Sequence, residues 1–130
     1  MVRRAILAPW PSRLPVLRSD AAAVLRARYT QRLPARLEDL TGPAQGTVDL
    51  PQHVVWSGRR SYELDGLKSR ISLYRTVLAE GQREDLEAFL NRDLLIAQWP
   101  LLRALVSPFV RDAWEGAFSE LRAARGSAAA

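Results

Sequence analysis

Leu67-Lys68-Ser69-Arg70-Ile71-Ser72-Leu73-Tyr74-Arg75-Thr76-Val77-Leu78-Ala79-Glu80-Gly81 is the stretch that decides the fold. Leu67, Ile71, Tyr74 and Leu78 fall at i, i+4, i+7 and i+11, which is one face of an α-helix. Asp65 or Gly66 suits its start, and Gly81 suits its stop. A helix here demands partners for its apolar face, and the flanking sequence supplies them.

Downstream, Arg83 to Leu90 predicts a second helix with Leu86, Phe89 and Leu90 inward and Glu84, Asp85 and Glu87 outward. Asn91 ends it, and Leu94-Leu95-Ile96 with Trp99 forms a short apolar segment. Pro100 and Pro108 each suit a first helical turn, the latter behind Ser107 as cap. A last helix then carries Val110, Ala113, Trp114, Ala117 and Leu121 on its apolar face, with Arg111, Asp112 and Glu115 opposite. Gly126 to Ala130 reads as a frayed tail.

Upstream, the chain changes character. Val48-Asp49-Leu50-Pro51, His53-Val54-Val55-Trp56 and Tyr62-Glu63-Leu64 are β-branched, aromatic or alternating, with turn-like Ser57-Gly58-Arg59-Arg60 between them. They predict a β-hairpin near 48–64. A two-stranded ribbon is marginal alone, so it must pack on helices or pair with a strand of another chain. Further back, Ser19 or Asp20 caps a helix running to about Leu33, with Leu25, Tyr29 and Leu33 on one stripe. Pro34 interrupts it, Leu37 and Leu40 continue a short turn, and residues 41–47 form a loop. Pro9, Pro11 and Pro15 make residues 1–18 an extended N-terminal arm. The expected fold class is therefore mainly α with a small β-hairpin (α+β), a single compact helical domain of about five helices over residues 19–125.

Composition bounds the function. The 130 residues, 48% hydrophobic and 25% charged, fit one globular domain. There is no cysteine, and Ala5 to Ala8 is too short for a signal peptide's apolar segment, so the expected compartment is the cytoplasm. No apolar run approaches the roughly 18 residues of a membrane span. Net charge is +5, and all basic residues except Lys68 are arginines, the bias a GC-rich genome produces without any ligand. Residues 1–46 carry eight arginines against Asp20, Glu38 and Asp39, whereas the remainder is neutral. A phosphate ligand would therefore meet the N-terminal third, through Arg26, Arg28 and Arg32 on the first helix.

Catalytic chemistry finds little support. His53 is the only histidine, and with no cysteine the familiar zinc spacings are excluded. A Ser-His-acid set would need Ser57 or Ser61 and Asp49 around His53. No glycine-rich phosphate loop is present. The acidic residues Glu80, Glu84, Asp85 and Glu87 read as a solvated helix start rather than a metal or acid–base site. Arg59, Arg60, Tyr62 and Glu63 supply the residue types of a metal-independent ribonuclease without its geometry. No cofactor is implied, and no catalytic or metal-ligating residue is assigned. A hairpin tip carrying Trp56, Arg59, Arg60 and Tyr62 instead has the composition of a partner-binding anchor.

Val48-Asp49-Leu50-Pro51, Trp56-Ser57-Gly58, Leu73 to Gly81, Gln98-Trp99-Pro100, Arg111 and Trp114-Glu115 give the stretch from Val48 to Phe118 a further meaning. It resembles a group of uncharacterised small bacterial proteins of actinobacterial type. The resemblance implies an antitoxin or accessory subunit beside a nucleotidyltransferase-type toxin, and it transfers no catalytic residue. The leading expectation is a non-enzymatic protein-binding module whose partner is a neighbouring toxin-like protein. The alternatives are a nucleic-acid-binding regulator using the basic N-terminal third and a small enzyme such as a toxin ribonuclease.

Overall fold

The structure, a computed structural model, describes residues 9–55 and 58–125, with side chains described from residue 21 onward. The expected tail 126–130, the start of the arm, and Trp56 and Ser57 lie outside the described residues. The fold is mainly helical with one small antiparallel sheet. Helix α1 spans Pro9–Arg32, followed by a 3-10 turn at Leu37–Asp39. Strands β1 (Thr47–Asp49) and β2 (Ser61–Glu63) come next. Helices α2 (Leu67–Glu80), α3 (Arg83–Phe89), α4 (Arg92–Leu105), α5 (Pro108–Ala117) and α6 (Ser119–Ala124) complete the chain.

Several expected boundaries shift for local reasons. The arm over 1–18 is helical from Pro9, because α1 starts ten residues before Ser19. Pro9 and Pro11 lie in its first turn, where a missing N–H costs no bond, whereas Pro15 lies inside the helix and leaves one bond unmade. The segment 94–99 is no isolated piece but the middle of α4, and Pro100 sits inside that helix. Its missing N–H leaves one helical bond unmade, while Leu95, Trp99 and Leu102 hold the helix against the core. The expected last helix is two, since Phe118 adopts an extended backbone (φ −124°, ψ 113°) between α5 and α6. That break turns Phe118 and Leu121 inward and leaves Ala117 exposed.

Side chains cap two helix starts: Ser107 that of α5, as expected, and Asn91, expected as the end of α3, that of α4. Asn91 Oδ1 accepts the Leu94 N–H at 3.1 Å, and Ser107 Oγ accepts the Val110 N–H at 3.3 Å. Gly81 is the C-cap of α2. The two arginines at the α1–α2–α3 junction act reciprocally on helix ends. Arg32 donates to the Ala79 carbonyl, and Arg83 donates to the Gln31 and Leu33 carbonyls. Cations there complement both the orphan carbonyls and the negative end of the helix dipole.

The sheet pairs Thr47 with Glu63, Val48 with Tyr62 and Asp49 with Ser61. His53 to Trp56 was expected as strand, but residues 52–54 form a turn in which the Val54 and Val55 amides reach back to the Pro51 carbonyl at 3.0 and 3.1 Å. Pro51 has no N–H with which to continue a ladder, so the chain turns there and drops both valines into the core.

Helix α2 lies against β2, α3 and α4; α5 lies against α1 and α6. Leu73, Tyr74, Val77 and Leu78 are the buried face of α2, whereas Leu67 is 53% exposed. The expected stripe holds at Ile71, Tyr74 and Leu78 and fails at Leu67, in the first turn of α2. Trp99, Trp114, Leu95, Leu102, Leu121 and Leu90 fill the remainder. Gly42 passes so close to α3 that a Cβ there would sit 2.4 Å from the Phe89 carbonyl carbon. The strand-like pairing of Thr41 with Asn91, and the Gly42 N–H bond to the Leu90 carbonyl at 2.8 Å, require that approach.

Candidate functional site

Alternation along β2 turns Tyr62 inward while Ser61 and Glu63 face solvent. Just before the strand, Gly58 takes a positive φ of 89°, a conformation open to glycine, and brings Arg59 back over the sheet. The Arg59 guanidinium stacks 5.1 Å from the Tyr62 ring centre. Its Nε donates to the Ser61 carbonyl at 2.7 Å, and another of its nitrogens donates to Ser69 Oγ at 3.1 Å. Ser69 Oγ in turn accepts the Glu63 N–H at 2.8 Å, and the Tyr62 hydroxyl donates to the Arg59 carbonyl at 2.9 Å. These bonds occupy the outer edge of β2, so a foreign strand finds no open Ser61 carbonyl or Glu63 amide there.

Of the hairpin residues singled out in the sequence, the fold brings Arg59 and Tyr62 together. Arg60 is exposed, and its side chain has no partner among the described residues. Trp56 lies outside the described residues.

Beside Arg59 and Tyr62 opens a cleft of about 360 Å³, lined also by Val54 and Val55 and, from α2, by Arg75, Thr76, Ala79 and Glu80. The α2 residues form two adjacent i, i+4 pairs, the spacing that places them on one helical face. Sequence reading missed them because that face is polar and reads as solvated surface. Only the 50–55 turn, folded over it, makes it a wall. Arg75 and Glu80 are exposed and have no hydrogen bond or ion pair among the described residues.

The acidic helix start is not wholly solvated. Asp85, expected to face outward, is buried at 8% exposure. Its carboxylate accepts the Gln82 N–H at 2.9 Å and meets His53 Nε2 at 2.9 Å. The histidine therefore ties the 51–55 turn to the start of α3. Asp49 is engaged elsewhere, accepting the Ser61 hydroxyl. The residues that could have formed a Ser-His-acid set are thus divided between two separate pairs, with Ser57 outside the described residues. In the ribonuclease-like set, the Tyr62 hydroxyl is tied to a backbone carbonyl. Among the described residues, no group of three or more His, Cys, Asp or Glu is placed to hold a metal ion.

Glu115 is the functional group that sequence reading most misplaced. Expected on the outer face, it is buried at 7% exposure. Trp99 Nε1 donates to its Oε2 at 2.8 Å, Arg103 Nε donates to the same oxygen at 2.7 Å, and Arg125 approaches Oε1 at 3.6 Å. Burial alone would raise its pKa. The hydrogen bonds from Arg103 and Trp99 and the charges of Arg103 and Arg125 outweigh burial and lower it. Tyr74 is also buried, and loss of water pushes its phenol up to about 12, against the Asn91 N–H and Arg70, which pull it down. Both groups join helices and leave the surface chemistry to other residues.

The basic N-terminal third contributes a second cleft, about 380 Å³, lined by Arg28, Gln31, Arg32, Gln82, Arg83 and Glu84. Arg32 and Arg83 are committed to helix-end carbonyls, and Arg32 also stacks 5.5 Å from the Tyr29 ring centre. Arg26 and Arg28 are exposed without partners among the described residues. No described helix is long and apolar enough to cross a membrane. No protein-family model, curated protein or solved structure matches the chain.

Proposed function

We propose that this chain is a non-enzymatic, cytoplasmic protein-binding module, acting as an antitoxin or accessory subunit to a nucleotidyltransferase-type toxin. One observation carries the module reading: the cleft at Arg59, Tyr62 and Arg75 combines a buried apolar floor with exposed charge on α2 that has no partner among the described residues. Interfaces are composed in this way, with apolar anchoring surface beside arginine. The identity of the partner rests on the resemblance of the Val48–Phe118 stretch. The test is co-expression with a nucleotidyltransferase-type protein encoded beside the chain, scored by co-elution in size-exclusion chromatography and by rescue of growth. A stable complex supports the reading; separate elution with unrelieved toxicity overturns it.

A nucleic-acid-binding regulator is the second reading, favoured by the exposed Arg28 lining the second cleft and by Arg26, exposed elsewhere on α1. Arg32 and Arg83 weigh against it, because their donors already serve helix ends. With Arg28 the one uncommitted arginine lining that cleft among the described residues, binding to duplex DNA would follow log salt with a slope of only about −1. Such binding is weak and disappears near physiological salt. The enzyme reading, a toxin ribonuclease included, has less support, since neither His53 nor Tyr62 is left uncommitted in a shared site.

A further inference from the structure

We infer that the cleft between the 50–55 turn and α2 takes an acidic side chain of a partner protein, Asp or Glu, with an apolar residue next to it in sequence; this rests on the protein-binding reading above. Three features of the cleft point to that chemistry. Arg75 is an exposed guanidinium with no partner among the described residues, on the wall of a concave surface. A guanidinium matches a carboxylate with two parallel hydrogen bonds, and Thr76 beside it adds a hydroxyl donor.

The floor is apolar. Val54 and Val55 are 2% and 8% exposed, and Ala79 completes that surface between the charged ends. It suits a short aliphatic side chain of the segment that carries the carboxylate. Glu80 stands one turn beyond Thr76 on the same helix and has no partner among the described residues. It places negative charge at one end of a cleft whose other charges are positive. A polypeptide segment of mixed charge tolerates that pattern; a nucleic-acid backbone, negative at every unit, is repelled by it.

Arg59 has a different part. Its donors hold the edge of β2, so it shapes the wall and contributes field rather than a freely orienting contact. Arg75 is the residue that recognises the carboxylate, and substitution at this exposed helical position leaves the core untouched.

The experiment is a titration of the 15N-labelled full chain with capped hexapeptides bearing one Asp or Glu flanked by Leu or Val. Lys-for-Asp peptides and single-stranded oligo-thymidylate serve as the competing ligands. The acidic peptides are expected to shift the amides of Arg75, Thr76 and Ala79. Arg75→Glu is expected to weaken that binding about tenfold or more, and Lys68→Glu, the same charge change outside the cleft, to leave it intact. Equal or stronger shifts with oligo-thymidylate, absence of shifts with every acidic peptide, or unchanged binding by Arg75→Glu would each overturn the inference. The toxin complex separates this from the reading beneath it. A complex that forms with the wild-type chain and persists with Arg75→Glu overturns the cleft assignment and leaves the module standing. No complex with either chain overturns the module itself.

Discussion

Trp99 and Glu115, sixteen residues apart, meet through a 2.8 Å hydrogen bond from the indole N–H to the buried carboxylate. The bond joins α4 to α5 inside the core and fixes how the two helices face each other. Arg103, one turn after Trp99, shares the same carboxylate oxygen. The carboxylate therefore satisfies the one polar atom of a fully buried tryptophan, and two half-exposed arginines neutralise it.

Glu115→Ala is expected to lower stability by about 2–3 kcal/mol, because it strands the Trp99 N–H in the core and removes a charge-assisted bond. Arg103 and Arg125 retain access to water, which keeps the loss below that of a fully enclosed ion pair. Urea unfolding of the variant measures it, and an unchanged midpoint would contradict the assignment.

The same residue makes stability depend on acid. The folded-state pKa of Glu115 lies below the ordinary value of a glutamate, which the unfolded chain retains. On acidification the unfolded chain therefore takes up the proton first, and the stabilisation present above that value is lost as pH falls through the folded one. Unfolding free energy should decline from about pH 5 downward, and Glu115→Gln should flatten the slope. Identical acid profiles for the two proteins would exclude Glu115 as the source.

Trp114 is 1% exposed and stacks, tilted, on Phe118 with ring centres 5.6 Å apart. Trp114→Ala leaves a cavity that the α5–α6 break cannot close and should cost about 3–5 kcal/mol. Thermal melting checks it; a wild-type midpoint would mean the ring is not part of the core.

Gly42→Ala should be disruptive although the added group is one methyl. Its carbon would meet backbone atoms of Phe89 and Leu90 at 2.4 to 2.7 Å, and backbone cannot rotate away as a side chain can. A loss of about 1–3 kcal/mol is expected, with the Thr41–Asn91 pairing weakened. Hydrogen exchange at the Gly42 amide, bonded to the Leu90 carbonyl, reports on that pairing directly.

For the His53–Asp85 tie, the two single variants should differ. His53 is 60% exposed in its side chain, so His53→Ala should cost less than about 1 kcal/mol. Asp85→Ala also removes the acceptor of the Gln82 N–H and a negative charge at the start of α3, and should cost about 1–2 kcal/mol. Equal losses in denaturant unfolding would assign the stabilisation to the histidine contact alone.

Sequence by itself determined the existence of α2 and α3, the helical character of the last stretch, the Ser107 cap and the Gly81 stop, the small sheet, and the core positions of Trp99 and Trp114, but not the extent of α4, its Asn91 cap or the break at Phe118. Those features follow from local periodicity, from side chains that bond their own backbone, and from apolar bulk, all of which are written within a few residues. Tertiary structure alone decided which polar residues are buried and what forms the cleft. Glu115 and Asp85 sit at positions that local periodicity assigns to water, and only Trp99, Arg103 and His53, brought from distant segments, make their burial tolerable. Arg75, Thr76, Ala79 and Glu80 read as ordinary helix surface until the turn after Pro51 folds Val54 and Val55 beside them. A concave site is a relation between segments, and no single segment of this chain encodes it.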